Sequence, residues 1–254
     1  MRSWFFVILL VLPTSAFGQS ERVPVAPSKN IQLAATEWCP YVCSNDKKPG
    51  FIVEYLRELL ISYDVSLDVF VLPWSRAIFS ARQGTYDGLL TAVPSEAPDF
   101  LFSSVATGSY QMCFFGSTEL DFHYDNREAL QGKTLGIIHN YGYGEPIDGI
   151  IEAPVKGESI YPIASSDALN QLIEMTRLGR IDLFVEDRMV VANTLIEHPH
   201  KAQLGRFSCF EEIPFFTAIS PQNTNVNAWQ VFLTQALSSV LARKLYHQAK
   251  SRYQ

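Results

Sequence analysis

Positive charge is sparse in this sequence and nowhere clustered: 20 Lys and Arg stand against 26 Asp and Glu, a formal net charge of −6. A chain without a Lys/Arg patch lacks the phosphate-neutralising surface that nucleic acid or an anionic membrane would need. Gly and Pro are few as well, 14 of each in 254 residues, which excludes a collagenous or low-complexity chain. No exact short-period repeat occurs, so solenoids and propellers are excluded. Missing too are the G-x-x-x-x-G-K-[ST], H-E-x-x-H and G-x-S-x-G patterns. Gly142-x-Gly144 lacks the third glycine of a dinucleotide fingerprint. No cofactor is expected. What is present is apolar: 47% hydrophobic residues, enough core for one large domain or two ordinary ones.

One apolar run stands out. Arg2 precedes nine unbroken apolar residues, Trp4 to Leu12, and Ala16-Phe17-Gly18 places small residues where a signal peptidase reads. Nine residues reach only about 14 Å as a helix, about half a hydrocarbon core. The expectation is a signal peptide over 1–18, cleaved before Gln19, and a soluble exported product. No Cys follows the run, so no lipid anchor is indicated.

In an oxidising compartment four cysteines can pair in three ways. Cys39 and Cys43 bracket a short turn, which makes a local disulfide the natural expectation and leaves Cys113 with Cys209. No His lies near Cys39 or Cys43, and His198-Pro199-His200 reads as a surface turn, so a metal site is not expected.

Hydrophobic periodicity alternates between two and 3.6. Ile31–Thr36 reads as a strand, Phe51–Leu60 as a helix, Val65–Val71 as a strand, Ser75 as the cap of a helix through Arg82, and Asp87–Val93 as a strand. That order predicts a parallel sheet with crossover helices. A second cycle holds strands at Tyr110–Phe115 and Ile181–Val185, with Leu130–Ile138 between them read as a loop feeding a further strand. A helix follows the cap Ser165-Ser166-Asp167 and is closed by Gly179. One last helix is expected after an Asn227-x-x-Gln230 capping box, with Leu233, Ala236, Leu237, Val240, Leu241 and Leu245 on one stripe.

Ligands of parallel α/β sheets bind beyond the strand C-termini, and three of those loops are unusual in composition. They are Glu37-Trp38-Cys39-Pro40-Tyr41, Pro73-Trp74-Ser75-Arg76, and His139-Asn140-Tyr141-Gly142-Tyr143-Gly144-Glu145. Rings exclude water and stack, and isolated charges orient, which suits a small amphiphilic ligand. The alternative is that Trp38 and Trp74 merely anchor loops. Glu186-Asp187, following a strand, offer general acid–base chemistry, a partner for a ligand cation, or a solvated strand end.

T-E-W-x-P-Y, G-F-x-x-E-x-L-R, L-P-W-x-R-A and G-x-Y-D-G-L-L occur in order, followed by L-Q-G-K-T-L-G-I-I, S-S-x-A-L-x-x-L and G-R-I-D-L-F-V-E-D. The series resembles the extracellular solute-binding protein family 3, the polar amino-acid-type periplasmic receptors of ABC importers, from about Ile31 to the C-terminus. The resemblance implies the type II periplasmic binding protein fold. Lobe one would span 27–109 plus 215–254 and lobe two 110–214, joined by two hinge strands. It implies a monomeric, non-enzymatic receptor that delivers its ligand to an ABC permease or a membrane sensor. By position, Glu37 and Trp38 supply an acid and a stacking ring; Trp74, from the second unusual loop, is a further ligand-binding candidate on composition alone. Thr91 and the Tyr141–Gly142 helix start hold a ligand carboxylate, and Asp187 pairs with an ammonium group. One departure is plain: the Arg expected after the Thr91 strand is absent from Val93-Pro94-Ser95-Glu96, leaving Arg76 as a substitute. The alternatives are an enzyme on the same scaffold, cyclohexadienyl dehydratase-like with Glu37 or Asp187 as proton donor, or a sensor input module.

Overall fold

The computed structural model describes residues 24–253 except 155, 156 and 197. The expected signal peptide and its cleavage site lie outside the described residues. The elements follow in chain order as β1 (Asn30–Ala35), α1 (Phe51–Ile61), β2 (Ser66–Val71), α2 (Trp74–Arg82), β3 (Gly88–Ala92), β4 (Leu101–Phe102), β5 (Gly108–Tyr110), β6 (Met112–Ser117) and β7 (Thr134–Ile138). They continue as α3 (Ile147–Glu152), β8 (Ser159–Ile163), α4 (Ala168–Arg177), β9 (Leu183–Asp187), α5 (Arg188–Thr194), β10 (Leu204–Cys209), β11 (Ile213–Ile219), α6 (Val226–Ser238) and α7 (Val240–Ser251).

Two sheets result. The first has order β2-β1-β3-β11-β4, with β5 also paired to β11, and the second has order β10-β6-β9-β7-β8. Strands β1, β2 and β3 are mutually parallel, as the alternation of strand and helix requires, and so are β7, β8 and β9. The late strand β11 runs antiparallel into the middle of the first sheet, beside β3. The chain crosses between the sheets at Gln111, between β5 and β6, and returns at 210–212, between β10 and β11.

Burial explains why these segments fold so. In α1, Phe51, Ile52, Tyr55, Leu56, Leu59 and Leu60 are all buried, on a helix that packs against β2 and α7. Strands β3 and β9 are buried at every position, the signature of central strands covered on both faces. Both expected disulfides are present, Cys39–Cys43 and Cys113–Cys209, the latter joining β6 to β10.

Local expectations fail where the chain caps itself differently. Ser75 is not the cap of α2: Pro73 precedes the first helical residue, Trp74, and the Ser75 hydroxyl lies 3.3 Å from His139 Nδ1 instead. The Asp167 carboxylate makes no cap bond and accepts from Asn170 Nδ2 at 2.6 Å. The single terminal helix is two. Ser239 is extended and accepts from the Ala242 N–H, starting α7, so the presumed stripe breaks and Val240 stands 73% exposed. Asn227 lies within α6, whose cap position is Asn225, and Gln230 donates to Ser104. The strand read over 110–115 is divided at Gln111, because its halves belong to different sheets. Among the described residues no helix is long and apolar enough to cross a membrane.

Candidate functional site

Loops from both sheets meet where the strand ends face each other. From the first sheet, the loop after β1 contributes Trp38 and Tyr41, whose rings stack at 4.2 Å, with Phe215 of β11 edge-on to both. The short disulfide pins this loop, and the Glu37 carboxylate at its start accepts from the Ser44 backbone and hydroxyl. Glu37, Cys39 and Cys43 lie close enough to suggest a metal cluster, but both sulfurs are consumed by the disulfide. Trp74, at the head of α2, stands edge-on to Tyr141 from the second sheet.

Hydrogen bonds span the junction. The Trp38 indole N–H donates to Glu186 Oε1 at 3.1 Å, and the Tyr41 hydroxyl donates to Asp187 Oδ2 at 3.3 Å. Asn140 Nδ2 donates to the Ser75 hydroxyl at 3.2 Å, and the Tyr110 hydroxyl donates to the Gly142 carbonyl at 2.6 Å. Glu96 is the densest node. Its Oε1 accepts from the Trp74 indole at 2.9 Å and from the Gly142 N–H at 2.8 Å, while Oε2 accepts from the Val93 N–H at 2.9 Å. Burial pushes the Glu96 carboxyl up to about 8, against the opposing pull of those donors. Gly142 permits this close approach, because a Cβ there would sit 2.4 Å from a Val93 methyl, which would have to shift.

Three cavities surround this junction. A small one of 30 Å³ is walled by aromatic rings, with Thr36, Thr91 and Glu96 among its few polar groups. A second, of 90 Å³, lies on the other side of Trp38 and Tyr141, which line both, and is rich in carboxylates and hydroxyls. An open groove of 740 Å³ runs outward past Glu96, His139 and Asp148.

The sequence-derived site residues distribute unevenly over this geometry. Glu37, Trp38, Trp74, Thr91, Tyr141 and Gly142 all line one or more of these cavities. Arg76 does not: it is exposed on α2 and lines none of the three. Asp187 is fully buried and already serves four donors. Its Oδ1 caps α5 through the Met189 and Val190 N–H groups, and its Oδ2 accepts from the Gln111 N–H at 2.8 Å as well as from Tyr41. Its carboxylate is a fastener between α5 and the crossing strand, with no vacancy for a ligand ammonium. Nor do Tyr141 and Gly142 start a helix, since α3 begins at Ile147. The two amides expected to hold an anion, those of Tyr141 and Gly142, are spent inside the chain, the first on the Ile138 carbonyl at 3.3 Å, and the next two amides are spent as well. Tyr143 and Gly144 donate to the Asp148 carboxylate at 2.8 and 2.9 Å, and Gly142 donates to Glu96.

The residue that the positional match passes over is Glu186. It is 1% exposed and lines the 90 Å³ cavity. Its Oε1 takes the Trp38 indole and the Asp187 N–H, while its Oε2 has no hydrogen-bond partner among the described residues. Burial raises its carboxyl to about 7. Adjacent strand residues point to opposite faces, so Glu186 rather than Asp187 reaches the cavity.

No family model matches this chain, and no curated protein matches it. Solved structures do. An ancestral arginine-binding protein bound to arginine superposes with a TM-score of 0.72 at 14% identity, over 89% of this chain and 98% of the other. An ABC uptake transporter substrate binding protein from Streptococcus pneumoniae with bound histidine gives 0.70 at 14%, over 89% and 92%. The GluR0 ligand-binding core from Nostoc punctiforme in complex with L-glutamate gives 0.67 at 13%, over 88% and 98%. The fold is therefore the type II periplasmic binding protein fold that the sequence motifs imply.

Proposed function

We propose that this chain, built on the type II periplasmic binding protein fold, is an exported receptor that captures a small solute between two lobes and closes on it. The expected lobes of 27–109 with 215–254 and of 110–214 shift slightly here, because Tyr110 and Ile213 pair within the first sheet: lobe one takes 27–110 with 213–254 and lobe two 112–209, with bending at Gln111 and at 210–212. The observation that carries this reading is the set of hydrogen bonds across the junction, from Trp38 to Glu186, Tyr41 to Asp187 and Gly142 to Glu96. Each joins residues on opposite sides of the crossing points and would part as the lobes swing open. A ligand favours closure only through contacts it makes in the closed state, so these aromatic and carboxylate walls couple affinity to closure.

The ligand face consists of Glu37, Trp38, Trp74, Thr91, Tyr141 and Gly142, to which Glu96 and Glu186 are added. Neighbours of this fold bound to arginine, histidine and glutamate support a small nitrogen-bearing solute, handed to an ABC permease or to a membrane sensor. Two disulfides agree with export through a leader over 1–18 into the periplasm.

A thermal-shift screen over amino acids, amines, small peptides and aromatic acids, followed by calorimetry and small-angle scattering, tests the reading. The expected result is a raised melting temperature with a smaller radius of gyration on binding. A panel that leaves both unchanged would count against a receptor. One observation favours a second reading: Glu96 and Glu186 sit in the junction with carboxyl groups raised to about 8 and about 7, as proton donors would be. Turnover of prephenate or arogenate, abolished by Glu186→Gln, would replace the receptor with a lyase.

A further inference from the structure

We infer that the cleft selects a small cationic amine carrying no carboxylate, with its ammonium group seated against Glu186. The inference rests on the receptor reading above and names the chemical class of its solute.

Glu186 presents one satisfied and one unsatisfied oxygen. Oε1 holds two donors, while Oε2 is buried without a partner among the described residues, on the wall of the 90 Å³ cavity. A buried carboxylate oxygen left without a donor is costly, and an ammonium N–H supplies both the missing hydrogen bond and the missing charge. The rest of that wall suits a cation. Glu37 and Asp167, exposed at the rim and each keeping one oxygen beyond its bonds to Ser44 and Asn170, add two carboxylates, and Thr36, Ser165 and Thr194 add hydroxyl oxygens that can accept. Trp38 and Tyr141 line both this cavity and the neighbouring 30 Å³ one, and aromatic rings attract cations. No Lys, Arg or His lines either cavity among the described residues.

An anion fares badly at the same place. The consecutive amides of Gly142, Tyr143 and Gly144 form a ready anion cradle, yet each donates to a carboxylate of this chain, Glu96 or Asp148. Arg82 lines only the outer groove and is held by Asp99 through two bonds of 2.7 and 2.8 Å. The carboxylate of an α-amino acid would therefore find no Lys, Arg or His in either cavity among the described residues, and would meet the negative charge of Glu37. Removing it leaves the ammonium contacts intact and the repulsion gone.

Matched pairs test this directly. Calorimetry on the full mature chain would compare agmatine with arginine, histamine with histidine and putrescine with ornithine, with glutamate as an anionic control. The expected result is that at least one amine binds and does so tenfold or more tighter than its amino acid, and that Glu186→Gln weakens it tenfold or more. Should Glu186→Gln lose its cooperative melt, Glu37→Gln and Asp167→Asn serve instead, each weakening the amine several-fold. An amino acid that binds as tightly as its amine, or an amine indifferent to these substitutions, overturns the inference while leaving a receptor in place. Silence from every amine overturns it as well. If the broader thermal-shift panel is silent too, the receptor reading falls with it.

Discussion

The carboxylate of Glu96 accepts the backbone N–H of Gly142 at 2.8 Å, so a loop of the first sheet is bonded to a loop of the second across the cleft. This chain's own acid occupies an amide that an anionic ligand would otherwise use. The contact is close because residue 142 has no side chain: a Cβ would meet Val93, Ser95 and Glu96 at 2.4, 3.0 and 3.1 Å.

Gly142→Ala is accordingly expected to hold the lobes apart. Small-angle scattering should show a larger radius of gyration than the parent, and affinity for the solute should fall by about tenfold or more, the equivalent of about 1.4 kcal/mol. An unchanged radius with unchanged affinity would show that Val93 and Glu96 yield without cost.

Stability should fall as pH rises from mildly acidic to mildly basic. Glu186 and Glu96 ionise near their ordinary 4.5 when unfolded but near about 7 and about 8 when folded. Between those values the folded state holds more protons, so its advantage shrinks with rising pH and levels off above about 8. Chemical denaturation at pH 5.5 and 8.5 should differ by a few kcal/mol, on the order expected for buried carboxyls. The double variant Glu96→Gln with Glu186→Gln should flatten the curve, and a profile unaltered by it would refute the assignment.

Asp187→Ala is expected to damage folding rather than recognition alone. It removes the α5 cap and leaves the Gln111 N–H and the Tyr41 hydroxyl without their acceptor. Cap loss and each of the two orphaned donors cost about 1–2 kcal/mol, so a destabilisation of about 3–6 kcal/mol should appear in urea unfolding of the ligand-free protein. A loss confined to ligand affinity would return Asp187 to the ligand's ammonium group.

The two disulfides should contribute unequally. Cys113–Cys209 closes a separation of 96 residues and Cys39–Cys43 only 4. Loop-closure entropy gives about 4–5 kcal/mol for the long loop and about 2 kcal/mol for the short one. Paired Ser substitutions measured by denaturant titration should keep that order. The short bridge should matter more to binding, since it fixes the loop that carries Trp38.

Elements that depend on local pattern were legible from the residues alone. Alternation at Ile31–Ala35 and the 3.6-residue stripe from Phe51 to Leu60 are forced by which side chains must leave water, and the cysteine spacing made a local bridge at Cys39–Cys43 the natural reading. The same local logic failed at Ser239, where one hydroxyl capping Ala242 outweighed an unbroken apolar pattern, and at Gln111, where one strand serves two sheets. The site, by contrast, came from long-range packing. Glu186 and Asp187 are chemically alike and adjacent, and which faces the cavity depends on strand register and on Gln111 and Tyr41 arriving to claim Asp187. Glu96 lies 46 residues from the Gly142 amide it satisfies, a pairing set by how two sheets meet and by nothing in the local spacing of either loop.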